Sequence, residues 1–199
     1  MKELAELEVK RKTGEEPFVS NGQKLPIDLS SFWQWSSSDL VGNALRGLVA
    51  EYIVTSAVGD NSGIRQEWDA YDVITPKGIK VEVKSAAYIQ SWAQSKYSSI
   101  QFSIRPTYGW EASTNAFSTE KVRQSDVYVF CLLKHKEQES INPLDLDQWQ
   151  FFVIATKQLN ETVGTQKTIS LSRLKELNPI EVSFGGISEA VNQAANINS

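Results

Sequence analysis

The chain has almost none of the residues from which the commonest catalytic and stabilising devices are built, with one cysteine and one histidine in 199 residues. A lone Cys excludes an intrachain disulfide framework. One Cys with one His makes neither a zinc site nor a His-based triad without other ligand types. Cys131 lies within the apolar run Val127-Tyr128-Val129-Phe130-Cys131-Leu132-Leu133, where a thiol reads as buried. No apolar run approaches the roughly 18 residues of a membrane-spanning helix and no signal peptide is visible, so the cytoplasm is the expected compartment. Excess positive charge is missing too. Lys and Arg total 20 against 24 Asp and Glu, a net charge of −4, which argues against a surface coated for non-specific nucleic-acid binding. A local basic groove remains open.

What is present suffices for one sizeable core: 199 residues, 41% hydrophobic, read as a single domain over residues 1–199. The stretch that organises the chain is WDAYDVITPKGIKVEVKS, residues 68–85. Two runs rich in Val, Ile and Tyr flank Thr75-Pro76-Lys77-Gly78, and Pro followed two positions later by Gly is turn chemistry. If Pro76 and Lys77 form the centre of a type I turn and Gly78 takes the left-handed bulge position, Thr75 faces Ile79 and Asp72 faces Glu82. Strand alternation then puts Lys84 on that same face, with Tyr71, Val73, Val81 and Val83 on the other. A two-residue loop would instead set Asp69 against Lys84 and leave Asp72 among apolar neighbours, a costly place for a carboxylate. The longer loop is therefore expected. Two carboxylates side by side repel unless a cation lies between them, and hard oxygen ligands suit Mg²⁺ or Mn²⁺. A lysine next to that cation can orient a water or neutralise charge on a phosphate oxygen. The bland reading is a solvated strand face with cross-strand charge pairs.

Asp, then Glu-x-Lys across a hairpin, resembles the PD-(D/E)xK superfamily of restriction-endonuclease-like nucleases. The resemblance implies Asp72 and Glu82 as metal ligands, the Val83 carbonyl as a further ligand, and Lys84 as the residue acting on the attacking water. Tyr71 stands where many members have a proline before the Asp. Glu-x-Lys occurs a second time at Glu8-Val9-Lys10, without an upstream Asp. WDAYD followed by EVKSAAYIQSW is also similar to a bacterial group of unassigned activity within the superfamily. In that superfamily a helix before the hairpin carries a Glu that completes the metal site, and Gly47-Leu48-Val49-Ala50-Glu51 resembles that helix. Glu51 has no ion-pair partner three or four residues away on its helix, so it needs a cation or hydrogen bonds from elsewhere, unless it lies at an exposed flank.

The remaining elements follow from pattern. Residues 2–12 are expected to form a short helix, 13–31 a loop, and 40–58 a helix begun by Ser36-Ser37-Ser38-Asp39, buried on most of its circumference and stopped by Gly59. After Lys84, residues 85–99 read as mixed helix and loop, 100–105 as a strand and 106–124 as an insertion. Residues 127–133 read as a central strand covered on both faces, 149–155 as another strand, 170–177 as a short helix and the tail from Ser188 as a helix. The expected fold class is α/β, a central mixed sheet flanked by helices with a restriction-endonuclease-like αβββαβ core over residues 37–134 and an extension over 149–199. Between Ser85 and Lys136, cations interleave with aromatics in a way that suits phosphates and stacked bases, although core aromatics with surface lysines would look the same. Gln90, Lys96, Arg105 and Arg123 are the candidate nucleic-acid contacts. The expected activity is metal-dependent hydrolysis of phosphodiester bonds in nucleic acid, DNA first. The alternative is a non-catalytic nucleic-acid-binding or structural module on the same fold. A homodimer is left open.

Overall fold

The computed structural model describes residues 7–59, 63–65, 70–111 and 116–196. Pro17–Ser20 (β1) and Gln23–Asp28 (β2) form an antiparallel hairpin about Asn21-Gly22, whose φ values of 50° and 76° suit a tight two-residue turn. The loop expected over 13–31 is thus a hairpin; Pro17 and Pro26 argued against strands, and the Asn-Gly signal between them decides. Leu29–Ser36 (α1) starts at Asp28, whose Oδ1 accepts from Ser31 N at 2.8 Å. Asn43–Val58 (α2) begins later than expected. Asp39 spends its Oδ1 on Gly42 N in a turn, and the helix opens after Gly42 and stops at the left-handed Gly59.

The chain then runs through Val73–Ile74 (β3), Lys80–Ala87 (β4), Gln101–Ser103 (β5), Thr107–Glu111 (β6), Ala116–Val122 (β7), Val127–Leu133 (β8) and Trp149–Ala155 (β9). Thr156–Val163 (α3), Thr168–Ser170 (β10), Leu171–Glu176 (α4), Ile180–Val182 (β11) and Ile187–Asn196 (α5) complete it. The central sheet has five strands in the order β11-β9-β8-β4-β3. β4 and β8 are parallel, in register from Val81↔Val127 to Ala87↔Leu133, and the other neighbours are antiparallel. This is the expected mixed α/β architecture.

Every residue of β8 is buried, as a doubly covered strand requires. Its odd-numbered side chains, with Val73, Val81 and Val83, pack under Ala50, Ile53, Val54 and Val58 of α2 and Ile187, Val191 and Ala194 of α5. Its even-numbered side chains, Tyr128, Phe130 and Leu132, join Ala86 beneath Phe102, Ile104, Leu159, Ile169 and Leu174. The second cover includes the β5–β10 pair as well as α3 and α4. Two expectations need correction here. Among the described residues the parallel β4-to-β8 connection carries no helix: residues 88–111 and 116–126 hold a hydrogen-bonded loop, β5, and the antiparallel β6 and β7. Nor is α2 buried on most sides, since Leu48 and Tyr52 are 40% and 61% exposed. Residues 7–12 of the expected N-terminal helix are irregular, and 2–6 lie outside the described residues. Among the described residues no helix is long and apolar enough to cross a membrane.

Candidate active site

The β3–β4 hairpin has the longer of the two loops weighed from sequence. Val73 pairs with Val81 and Ile74 with Lys80, Thr75 N donates to Ile79 O at 2.9 Å, and Gly78 sits at φ 80°. Thr75 also accepts from Gly78 N through its carbonyl (2.8 Å) and from Ile79 N through Oγ1 (3.1 Å), closing the turn from within. The ladder stops at Val73. In a continued ladder the Val83 amide would meet the Tyr71 carbonyl; instead Asp72 Oδ2 accepts from Val83 N at 2.7 Å. Its carboxylate is thereby fixed against the strand that carries Glu82 and Lys84.

Lys84 Nζ lies 2.5 Å from Glu82 Oε1 and 3.6 Å from Asp72 Oδ2, and the three side chains are between 20% and 27% exposed. Groups about three-quarters buried interact strongly while staying reachable by solvent. Two acids share one ammonium, so the trio carries a net charge of −1. Burial pushes the Glu82 pKa up, Lys84 opposes this, Asp72 adds to it, and the result is above the ordinary value. Burial works against the Lys84 ammonium, but Asp72 and Glu82 outweigh it and hold its pKa above normal. Lys84 is therefore firmly cationic. Among the described residues, Asp72 Oδ1 and Glu82 Oε2 accept no hydrogen bond, which leaves one open oxygen on each acid. The donor set fits a hard divalent cation in charge and in atom type.

Glu51 does not close on this pair. α2 covers the opposite face of the sheet, and the Glu51 carboxylate is taken by Arg65, with Nε to Oε2 at 2.5 Å. It is near enough to raise the Glu82 pKa. Yet among the described residues no three His, Cys, Asp or Glu side chains gather at metal-binding range. Arg65 as the Glu51 partner had no signal in the sequence, because the pair spans a helix and a loop. Tyr128 was missed for a similar reason. Only the parallel register sets it beside Glu82, where burial, then Glu82, keep its phenol protonated. Asp69 lies outside the described residues.

The four nucleic-acid candidates separate. Arg123 is buried and donates to the carbonyls of Ile104 (2.8 Å), Gly164 (2.7 Å) and Gln166 (3.1 Å) and to Asn160 Oδ1 (2.5 Å), so it staples the crossover to the α3 end. Gln90 is buried as well. It accepts from Arg46 Nη1 at 3.1 Å and spends both amide N–H groups on Ala87 O and Ser98 Oγ. Both are corrections to the sequence reading, since their polar atoms are consumed by the fold. Lys96 and Arg105 are exposed.

No curated protein matches the chain. A family model does match it, over residues 29–173, a stretch that starts at α1, ends within α4 and contains Glu51, Asp72, Glu82 and Lys84. That span is well over half of the chain, and the chain belongs to the bacteriophage T4 endonuclease IV family, a family of nucleases acting on nucleic acid.

Proposed function

We propose that the protein hydrolyses phosphodiester bonds, in DNA first, with Mg²⁺ or Mn²⁺ held by Asp72 and Glu82 on a PD-(D/E)xK-like hairpin. The observation that carries this is the trio itself. In a chain of a nuclease family, two carboxylates with open oxygens, one just before β3 and one on β4, flank one ammonium. A bound divalent cation would supply Lewis acidity at a phosphoryl oxygen and a more acidic water. Asp72 is pre-set for that role by the Val83 amide, and the Val83 carbonyl is the further ligand the superfamily resemblance implies. Lys84, kept charged by both acids, donates to the attacking water or to a non-bridging phosphate oxygen where negative charge builds up. Glu51 contributes negative charge from α2 without being a ligand in this arrangement.

A second reading has its own observation: Lys84 already pairs with both acids, as a static ion-pair network would. The separating experiment measures cleavage of single- and double-stranded DNA and of RNA with Mg²⁺, Mn²⁺ or EDTA, for the wild type and Lys84→Met. Metal-dependent cleavage lost in the variant supports hydrolysis. No cleavage of any form in either metal sinks it.

A further inference from the structure

The parallel strands β4 and β8 end side by side at Ala87 and Leu133, and the loops that leave them build a second site. Carboxyl ends of neighbouring parallel strands are where α/β sheets place ligand clefts. A cleft of about 390 Å³ opens there, lined in part by Trp92, Lys96, Tyr97 and Lys136. That volume is in the range of small-ligand sites.

Its walls are held in place. Ser98 N donates to Tyr88 O at 2.9 Å, Gln90 N to Gln94 Oε1 at 2.7 Å, and Gln94 Nε2 to Ser98 Oγ at 3.0 Å. Buried Gln90 ties this loop to Arg46 on α2. Tyr97 Oη donates to the Lys136 carbonyl at 3.0 Å, joining the loop after β4 to the loop after β8. Lys136 Nζ then stands over the rings of Tyr88 and Tyr97, 4.4 and 5.6 Å from their centroids. In contrast, Trp92 is 53% exposed and makes no ring contact or hydrogen bond among the described residues. A fixed loop that presents a bare indole beside two lysines is costly to leave in water and suited to a flat, anionic ligand.

We infer that this cleft binds one unpaired nucleotide of the substrate, its base stacked on Trp92 and Tyr97 and its phosphate against Lys96 and Lys136. Stacking on aromatic side chains beside cations is the chemistry by which unpaired bases are held. Tyr88 follows β4 directly and packs against the apolar layer that includes Ala86, the layer on the Glu82 and Lys84 face. Four residues of extended chain separate it from Lys84, about 13 Å, so the bound nucleotide lies a few positions from the bond that is cut. The inference rests on the nuclease reading for its ligand and not on metal or cleavage.

The test uses the full chain in EDTA at low salt, with 5′-fluorescein-labelled dT₁₂ and rU₁₂ as probes in anisotropy titrations. Trp92→Ala and Tyr97→Ala should weaken binding by about fivefold to 150-fold, the span of one base stack. Trp92→Phe should recover most of the loss. Lys136→Met should lower the slope of log K against log salt by about 0.7, one phosphate contact on a single strand. Affinity of Trp92→Ala within twofold of the wild type overturns the inference, as does a wild type that retains neither probe. Failure of the other reading looks different. A wild type that binds through Trp92 but cleaves nothing leaves the cleft standing and removes hydrolysis, whereas cleavage by a Trp92→Ala protein of unchanged affinity removes the cleft alone.

Discussion

Replacing Lys84 with Met keeps the stem of the side chain and deletes the one charge that holds the two acids together. The ammonium lies 2.5 Å from Glu82 and 3.6 Å from Asp72, and all three side chains are about three-quarters buried. Exposed ion pairs contribute up to about 1 kcal/mol, and breaking a fully buried one costs about 3–5 kcal/mol because a charge is left behind. This trio falls between, so metal-free Lys84→Met should lose about 2–3 kcal/mol, a fall of roughly 4–12 °C in Tm for a chain of this size. Metal changes the sign of the comparison. In the wild type a divalent cation must share the carboxylates with the ammonium, whereas in the variant it faces two bare acids. Millimolar Mn²⁺ should therefore raise the variant's Tm more than the wild type's, while cleavage falls by about 10²–10⁴, the span of one positioned proton donor. Differential scanning fluorimetry across a Mn²⁺ titration, with cleavage assayed in parallel, reads both quantities. A flat metal response in both proteins, alongside the metal-free destabilisation, would falsify the metal site and leave the static ion-pair network.

Asp72→Asn keeps an acceptor for the Val83 amide but loses the charge, so it should fold, lose the Mn²⁺-dependent Tm shift and lose cleavage. Asp69→Asn should keep both within a few fold, and the reverse pattern would place the second acid at the wrong position. Gly78→Ala should cost about 1–2 kcal/mol by urea denaturation, since φ is 80° there and the space beside it is open, so only the backbone resists. Arg123→Met should cost about 3 kcal/mol, through four orphaned acceptors, yet leave the salt slope of nucleic-acid binding unchanged; a lower slope would restore it as a phosphate contact. Cys131, whose thiol burial pushes well above its ordinary pKa, should react with Ellman's reagent only after unfolding. By the same linkage its share of stability is complete below about pH 8.5 and is lost as pH rises past the point where the unfolded thiol ionises. A flat urea midpoint from pH 8 to 10 would contradict that.

The hairpin was legible because its constraints were local and agreed with one another. Pro76 and Gly78 selected the loop, the loop set the register, and the register put Asp72, Glu82 and Lys84 together while Val73, Val81 and Val83 went to the core. β8 was legible for a different reason. Seven consecutive apolar residues, rich in β-branched and aromatic side chains and too few for an ordinary helix, suit a strand covered twice. Where signals conflicted, the reading failed. Residues 13–31 were read as a loop, yet Asn21-Gly22 closes a hairpin there, and its two prolines are tolerated because each of its strands is an edge.

The crossover and its cations failed for a reason that pattern cannot repair. Whether Arg123 faces a phosphate or four internal acceptors is set by which loops close around it, and those acceptors lie 19 to 43 residues away. Gln90 is the same case, with an Arg46 partner 44 residues back on α2. From sequence both look like surface polar residues beside aromatics; in the fold they are the buried fasteners that hold the exposed ones still. Gln90 anchors the loop that presents Trp92, and Arg123 anchors the residues after Ile104 against the turn at Gly164. The polar residues of this crossover thus divide by burial into those that position the fold and those that face solvent. Arg105 and Arg123 carry the same charge in the sequence, and only burial separates them.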